Sequence, residues 1–370
     1  MATNKKKIFL IDGMALIYRA HYAMVYNQLT TSSGMHTSAI FGFISSFLKI
    51  LNDEKPDFLA ICSDTKSPTF RHVKYDAYKA NRKKMPDELQ EQIPVLYNIF
   101  KQSNIPLLVL DSYEADDIIG TVSKSFNDTH THTYIVSGDK DLMQLVDDST
   151  SVYSIGNKFK PTTTYNHKKV EDKWKIPPVK IIDYLALVGD SSDNIPGVEG
   201  VGPKTAVKLI NAYENVENIY NCLDDIKNVK LRERLLNNKS NALLSKELVT
   251  LDLKVPIDFN LDDMKIDNFD FSLMKEELNK LEIYNFDSSF NKHIDGVSII
   301  DTFETLRESK KYILIDGDKK FDKMLSVIKR HSVISIDLET TSLNPFNAEI
   351  VGISLSVKED HGYYIPFMFP

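Results

Sequence analysis

Four short apolar runs each end at an aspartate, and this repeated pattern constrains the fold more than any other feature of the chain. Segments with helical periodicity separate the runs, among them residues 37–51 and the segment from Pro86 to Phe100. Strands that alternate with helices predict a parallel sheet covered on both faces. The runs are KKIFLID, FLAICSD, PLLVLD and TYIVSGD, ending at Asp12, Asp64, Asp111 and Asp139.

Nine carboxylates cluster in the segments IDG, CSD, YEADD, SGDKD and GDSSDN. In open parallel sheets ligands bind beyond the carboxyl ends of the strands, where several of these residues are expected to lie. Carboxylates brought together repel one another unless hard divalent cations neutralise them. The predicted metal ligands are Asp12, Asp64, Glu114, Asp116, Asp117, Asp139, Asp141, Asp190 and Asp193.

Each acidic motif also has a purely structural interpretation. Acidic residues in YEADD can cap a helix, and Asp residues beside Gly or Ser commonly form turns. On a helix, Glu114 and Asp117 share a face while Asp116 projects to one side, so one turn could serve two ions. Coincidental capping in all five segments is improbable, which favours metal binding.

The composition fits an intracellular globular enzyme. A length of 370 residues predicts two or three domains. Cys62 and Cys222 are far apart without a CxxC motif, which argues against a disulfide framework or a zinc site and favours a reducing cytoplasm. The N-terminal apolar run is too short for a signal peptide, and no run approaches a membrane span. The net charge of −7 is more than accounted for by the nine carboxylates, so a polyanionic ligand remains possible.

A basic segment, KSPTFRHVKYDAYKANRKK at residues 66–84, directly follows Asp64. Cations interleaved with aromatic rings suit single-stranded nucleic acid, since cations follow the phosphates and rings stack on bases. A solvated basic helix is the alternative, and the position beside a predicted metal ligand favours function. The residues are Lys66, Arg71, Lys74, Lys79, Arg82, Lys83 and Lys84 with Phe70, Tyr75 and Tyr78.

A glycine-rich segment, GDSSDNIPGVEGVGPKTA, lies between a helix predicted to end at Gly189 and one predicted to start near Pro203. Its backbone amides and the helix N-terminus could bind a phosphate of a DNA duplex. A nucleotide-binding P-loop is the alternative, because Gly197 and Gly202 have that spacing. However, Pro203 intrudes before Lys204 and no apolar strand precedes the loop, so this alternative is weak.

Five segments together closely resemble the 5′ nuclease domain of bacterial DNA polymerase I, in the flap endonuclease superfamily. They are IDGMALIYRAHYA, SPTFRHVKYDAYKANR, YEADDIIG, SGDKDLMQL and GDSSDNIPGVEGVGPKTA, and they occur in the family's order up to about residue 290. The resemblance implies a PIN-like α/β nuclease domain at residues 1–172 and a helix-hairpin-helix subdomain at 173–292. It also implies a monomer in the bacterial cytoplasm, at the nucleoid, acting on branched, nicked or 5′-flapped DNA.

The same resemblance assigns roles to individual residues. The nine carboxylates would bind two Mg²⁺ ions, with Mn²⁺ as an alternative, and the glycine-rich turn would hold K⁺. Tyr18 would pack against a base near the cut, while Lys79 and Arg82 would polarise the phosphate. The implied DNA contacts are Arg19, Arg71, Lys74, Tyr78, Lys83, Gly197, Gly200, Gly202, Lys204 and Thr205.

Residues 296–370 predict a three-strand meander that resembles the start of a 3′-5′ proofreading exonuclease, an RNase H-like fold. Asp337 and Glu339 would share one face of a strand, as a metal site requires. The later carboxylates of that family and all polymerase motifs are missing, so we expect this segment to be catalytically inactive. An unpaired edge and the uncovered tail IPFMFP also predict low stability. A truncated longer polymerase and a naturally short nuclease both remain open.

Three functions are compatible with some of these motifs. The first is a metal-dependent 5′-3′ deoxyribonuclease of replication and repair. The second is a branched-DNA binding module without catalysis, which would have lost metal ligands, whereas all nine are present. The third is a PIN-type ribonuclease, which would not need the glycine-rich hairpin. The sequence therefore favours the first.

Overall fold

The computed structural model describes residues 5–26, 28–126, 130–157, 160–284, 286, 311–341, 349–358 and 361–367. They belong to two compact units, Met1–Phe290 and Asn291–Pro370. The predicted boundary between residues 172 and 173 lies inside the first unit. The predicted boundaries at residues 292 and 296 lie outside the described residues.

A six-stranded sheet forms the centre of the first unit, in the order β3-β2-β1-β4-β5-β6. All neighbouring pairs are parallel except β5 and β6, which are antiparallel. The predicted parallel sheet is thus confirmed, with one antiparallel edge strand. The strands are β1 Lys6–Asp12, β2 Phe58–Cys62, β3 Leu107–Leu108, β4 Thr131–Val136, β5 Thr150–Ser154 and β6 Thr163–Tyr165.

Strand β1 lies in the middle of this sheet because its side chains are apolar on both faces. Ile8 and Leu10 belong to one hydrophobic core, and Phe9 and Ile11 belong to the other. Alternate side chains point to opposite faces of a strand, so a continuous apolar run is what a doubly covered strand needs. Asp12, the last residue of β1, therefore lies near the middle of the sheet edge, opposite Cys62.

Helices cover both faces. Ile118 and Val122 of α6 pack in the core of Ile8 and Leu10, and α2 packs in the core of Phe9. The predicted helix from Pro86 to Phe100 is divided into α4 and α5, because Pro94 has no N–H to continue the helix. The helices of this half are α1 Gly13–Ala23, α2 Ser38–Glu54, α3 Phe70–Lys74, α4 Asp87–Gln90, α5 Gln92–Gln102 and α6 Ala115–Ser125.

From residue 167 the first unit is mostly helical. Helix α8 ends before Gly189, whose φ of 73° is left-handed, and α9 starts at Pro203 as predicted. None of the helices in the described ranges is long and apolar enough to cross a membrane. These helices are α7 His167–Trp174, α8 Ile181–Val188, α9 Pro203–Tyr213, α10 Val216–Asn221, α11 Val229–Asn237, α12 Lys239–Val249 and α13 Phe271–Lys280.

The second unit contains a four-stranded sheet in the order β7-β10-β9-β8. Strands β8, β9 and β10 form the predicted antiparallel meander, while β7 pairs in parallel with β10. Strand β8 lies at an edge, in line with the predicted unpaired edge. Residues 368–370 of the predicted uncovered tail lie outside the described residues. The elements are β7 Lys311–Leu314, α14 Asp318–Ile328, β8 Ser335–Thr340, β9 Ile350–Lys358 and β10 His361–Pro366.

Candidate metal-binding active site

A cavity of roughly 770 Å³ collects six of the nine predicted acidic ligands. Asp12 ends β1, Asp64 follows β2, and Asp139 follows β4. The parallel sheet brings these strand ends to one edge, as the sequence pattern led us to expect. The carboxylates lining the cavity are Asp12, Asp64, Glu114, Asp116, Asp139 and Asp193.

The acidic side chains form two groups that share Asp139. Burial, together with the charges of Asp139, Asp12, Asp64 and Glu114, raises the pKa of Asp116 well above its usual value. Burial and the charges of Asp139 and Asp190 raise the pKa of Asp141 in the same way. Such mutual repulsion is relieved either by protons or by a bound cation.

The side chains fit hard divalent cations. Every candidate donor is a carboxylate oxygen, the ligand type that Mg²⁺ and Mn²⁺ prefer. Oδ1 of Asp141 is buried and has no hydrogen-bond partner, so it has unused capacity for a cation. In the part of the chain that the structure describes, no group of three or more His, Cys, Asp or Glu side chains is already arranged to hold a metal ion.

Two basic side chains, Lys79 and Arg82, form ion pairs with carboxylates that line the cavity. Nζ of Lys79 lies 2.8 Å from Oε1 of Glu114 and 3.8 Å from Oδ2 of Asp193. Arg82 also pairs with Asp193. Burial acts to lower the pKa of Lys79, but the charges of Glu114 and Asp193 outweigh it and raise the pKa. Lys79 therefore remains positively charged inside the cavity.

The turn that carries Lys79 is held by the loop that carries Asp193. Lys79 has a left-handed φ of 55°, and its N–H donates to the carbonyl of Asp193 at 3.0 Å. Nδ2 of Asn194 donates to the carbonyl of Ala77 at 2.7 Å. A left-handed lysine is strained, and such strain persists only where surrounding contacts impose it. These contacts fix the base of the Lys79 side chain.

Two predicted roles in the YEADD segment and the basic segment are wrong. Asp117 is 0% exposed, and Nη1 and Nη2 of Arg71 donate to its two oxygens at 2.7 and 2.8 Å. Asp117 therefore has no access to the cavity as a metal ligand. Arg71 is 1% exposed, so it cannot contact DNA. The capping interpretation is correct for Glu114 and Asp117, which form a capping box at the start of α6.

Tyr78 is also misassigned as a DNA contact. It is 4% exposed, and its hydroxyl donates to Oε2 of Glu114 at 3.0 Å, so its ring cannot stack on a base. Other predicted contacts do lie at the surface. Lys74 is exposed and pairs with Glu247 at 2.6 Å, Lys83 is exposed, and Arg19 is exposed and donates to the carbonyl of Gly156. The basic segment is a short helix followed by turns and is not one solvated helix.

The cavity also has an apolar wall, which was not among the sequence-based predictions. Ile93 and Tyr97 lie one helical turn apart on α5 and line the cavity with Met85 and Tyr18. Tyr18 is half-buried and stacks on Tyr22 with ring centroids 6.2 Å apart. The signal was present in α5, where Ile93 and Tyr97 form a second apolar stripe beside the buried one. The cavity thus combines apolar surface with polar groups.

The glycine-rich turn contains glycines with different roles. A Cβ atom at Gly197, which has φ of 61°, would lie 2.5 Å from the backbone nitrogen of Gly189. A Cβ at Gly200 would meet the guanidinium of Arg234, whereas a Cβ at Gly202 would meet nothing within 4 Å. Of the predicted anion-binding glycines, Gly202 therefore has free space, directly before exposed Lys204 and half-buried Thr205.

Replacing Gly197 with alanine should destabilise the protein by at least about 2 kcal/mol, because the methyl group meets backbone atoms in a left-handed conformation. Thermal unfolding followed by circular dichroism would measure this loss. Gly202→Ala is the matched control, and its loss should be clearly smaller. Equal losses in both variants would contradict the close packing of Gly197 on Gly189.

Replacing Asp12 with asparagine should stabilise the metal-free protein above pH 6. Asp12 is 6% exposed, and burial together with the charges of Asp64 and Asp139 raises its pKa from 3.8 to about 6. The pKa of Asp12 is higher in the folded state than in the unfolded state. The free energy of unfolding therefore falls as the pH rises from the unfolded to the folded pKa, and the loss of at most about 3 kcal/mol persists at higher pH.

Melting curves in chelator would test this prediction. The variant should melt above wild type near neutral pH, and the difference should shrink as the pH falls toward the ordinary pKa of Asp12. Added Mg²⁺ should stabilise wild type more than the variant, because a bound ligand stabilises the folded state. A wild type that melts higher than the variant in chelator at neutral pH would show that Asp12 is not under electrostatic strain.

The second unit holds the predicted vestigial pair. Asp337 and Glu339 lie two residues apart in β8. Asp337 lines a cavity of roughly 530 Å³ with Ser354 and Lys358. Within the described residues, Glu339 is not part of that lining. That residues 296–370 are catalytically inactive remains a prediction.

Two family models match the first unit in tandem. The 5′-3′ exonuclease N-terminal resolvase-like domain matches residues 7–175, and the 5′-3′ exonuclease C-terminal SAM fold matches residues 176–272. Among solved structures, zinc-bound T5 5′-exonuclease is similar at a TM-score of 0.57 and 19% identity, covering 75% of this chain and 100% of that one. The catalytic core of Rad2 in complex with DNA substrate is similar at a TM-score of 0.51 and 15% identity, covering 78% and 91%. These likenesses establish the PIN-like fold.

Sequence relatives extend the comparison. The DNA polymerase I of Borreliella burgdorferi is 34% identical over 98% of this chain and 41% of its own length. The DNA polymerase I of Caldicellulosiruptor bescii is 39% identical over 82% of this chain and 35% of its own length, so this chain spans little more than a third of these polymerases. The 5′-3′ exonuclease of Aquifex aeolicus is 37% identical over 79% of this chain and 96% of its own length. The chain therefore belongs to the 5′-3′ exonuclease family.

Proposed function

We propose that the chain is a metal-dependent deoxyribonuclease that hydrolyses DNA from 5′ ends and at 5′-flap junctions. The observation that carries the proposal is the single cavity in which six carboxylates face charged Lys79 and Arg82. Acids that can bind cations next to basic groups that can bind phosphate are what phosphodiester hydrolysis requires. Membership of the 5′-3′ exonuclease family supports the same activity.

The two acidic groups that share Asp139 are the proposed sites of two divalent cations, Mg²⁺ or Mn²⁺. When bound, such ions polarise the phosphate and lower the pKa of a water molecule. Asp12, Asp64, Glu114, Asp116 and Asp139 would hold one ion. Asp139, Asp141, Asp190 and Asp193 would hold the other.

Side chains of the protein supply the remaining chemistry. Lys79 and Arg82 stabilise the negative charge that develops on the phosphate, and a preorganised donor of this kind contributes about 3 kcal/mol. The half-buried ring of Tyr18 offers a surface for a base beside the cut. Apolar Ile93 and Tyr97 would exclude water from their part of the cavity wall. Neither a serine nor a cysteine nucleophile is needed.

The substrate proposed is branched, nicked or 5′-flapped DNA. Gly202 has free space at the start of α9, where a duplex phosphate would bind with Lys204 and Thr205 beside it. The turn would also hold K⁺. Exposed Arg19, Lys74 and Lys83 would contact further phosphates, and such contacts would position the DNA without reading its sequence. We propose a monomer in the cytoplasm.

The relatives named DNA polymerase I support a role in replication and repair as part of such a polymerase. The second unit would then correspond to the start of a 3′-5′ exonuclease without a complete active site. A DNA with a recessed 3′ end and a blocked 5′ end should accordingly remain intact with Mg²⁺. Degradation from the 3′ end would contradict this part of the proposal.

Cleavage of three matched substrates tests the function. A 5′-flap DNA, its all-RNA analogue and a blunt duplex are incubated with Mg²⁺ or with chelator. Cutting at the flap junction only with Mg²⁺ supports the proposal. Binding of the flap without cutting would favour a DNA-binding module, and preference for RNA would favour a ribonuclease.

A further inference from the structure

We propose that Arg71 is a positioning residue, which through Asp117 holds the first turn of α6 in the orientation that Glu114 and Asp116 need for cation binding. The inference rests on the proposed function, because it concerns the same carboxylates. It assigns Arg71 a part in metal binding although its side chain never reaches the cavity.

The guanidinium of Arg71 is fully engaged inside the protein. Beyond its two bonds to Asp117, Nε donates to the carbonyl of Leu248 at 2.7 Å and Nη2 donates to the carbonyl of Thr250 at 3.1 Å. Nη1 also lies 3.4 Å from Oε2 of Glu114. A guanidinium has five N–H donors in a fixed plane, so these contacts leave almost none for an external ligand. One side chain thereby joins α3, the start of α6 and the end of α12.

Asp117 also bonds to the backbone of two segments, at Glu114 and at Asp252. Its Oδ1 accepts from the backbone N–H of Asp252 at 2.9 Å, and its Oδ2 accepts from that of Glu114 at 3.2 Å. The first turn of α6 is thus tied both to Arg71 and to the segment after α12. Any rotation of this turn, which carries Glu114 and Asp116, would break the bidentate pair and the bond to Asp252.

The free-energy contribution expected of the Arg71–Asp117 ion pair indicates that the pair orients the first turn of α6 more than it stabilises the fold. Replacing both members of a buried ion pair with apolar residues is often nearly neutral for stability, whereas removing one member is costly. A bidentate pair fixes direction as well as distance, and lysine cannot reproduce it. Loss of the bidentate pair between Arg71 and Asp117 should therefore disturb the carboxylates of Glu114 and Asp116 more than it disturbs the fold.

The test uses Arg71→Lys and the charge-free double variant Arg71→Met with Asp117→Leu, each in the whole 370-residue chain. Mn²⁺ affinity is measured by calorimetry without DNA, and flap cleavage is measured in single-turnover experiments. We expect both variants to fold, to bind Mn²⁺ at least about tenfold more weakly, and to lose about a hundredfold in cleavage rate at fixed Mg²⁺. High Mg²⁺ should restore part of that rate. Flap affinity and its dependence on salt should match wild type.

The control is Lys246→Met on α12, which breaks the 2.7 Å ion pair with Asp183 on α8. It should lower the melting temperature without changing Mn²⁺ affinity. Unchanged Mn²⁺ affinity in the folded Arg71 variants would overturn the proposal, as would failure of both to fold. If the slope of DNA affinity against salt concentration instead fell by the amount expected for the loss of about one phosphate contact, Arg71 would be a DNA ligand. Because Mn²⁺ affinity is measured without DNA, the result stands apart from whether wild type cuts flaps.

Discussion

Asp116→Asn should lower the rate of Mg²⁺-dependent flap cleavage by at least about a thousandfold, or about 4 kcal/mol of transition-state stabilisation. Asp116 is buried and is repelled by the charges of four other carboxylates, Asp139, Asp12, Asp64 and Glu114, so a cation at its position would relieve this repulsion. Asparagine keeps the shape and removes the charge. Single-turnover rates at saturating enzyme would measure the loss without interference from product release.

The same substitution should not harm the fold. Removing one of several repelling charges should leave the metal-free melting temperature equal to or above that of wild type. Asp111→Asn is the matched control, because Asp111 follows β3, accepts from Ser67 and lies outside the cavity lining. It should cleave at the wild-type rate. Turnover of Asp116→Asn within tenfold of wild type would remove Asp116 from the site.

Lys79→Met should slow cleavage about a hundredfold while changing flap affinity only a few-fold. Methionine keeps the length and loses the charge that stabilises the developing negative charge on the phosphate. Single-turnover rates with Mg²⁺ and fluorescence anisotropy with Ca²⁺ would separate cleavage from binding. Lys79→Gly should show a similar rate loss, since glycine accepts the left-handed φ of 55° and so keeps the turn.

Lys55 provides a close control for these variants. It also has a left-handed backbone, with φ of 50°, but it is exposed at the end of α2 and away from the cavity. Lys55→Met and Lys55→Gly should leave cleavage unchanged. Equal losses of rate and affinity in Lys79→Met would make Lys79 a phosphate anchor without a role in the chemical step.

The strand-end acids were predictable because their positions follow from local pattern. An apolar run of suitable length fixes a buried parallel strand, and the residue after it must lie at the carboxyl edge of the sheet. Asp12 and Asp139 follow this rule. The short β3, Leu107–Leu108, shows its limit, since pairing ends well before Asp111.

The roles of Arg71 and Tyr78 could not be predicted from local pattern. Arg71 is buried by backbone carbonyls of Leu248 and Thr250, which are 177 and 179 residues away in the sequence. Only the folded chain shows that a basic residue in a basic segment points inward. The E-x-x-D spacing of the capping box was the one local signal for Asp117.

The packing of residues on both sides of position 172 has a consequence for fragments of this protein. Ile8 and Leu10 of the central strand share one core with Leu209 of α9 and Leu248 of α12. A truncated polypeptide ending near residue 172 would expose that surface and leave Arg71 without its carbonyl partners. It should aggregate instead of folding autonomously. The regions matched by the two family models, which meet at residues 175 and 176, should therefore unfold as one cooperative body.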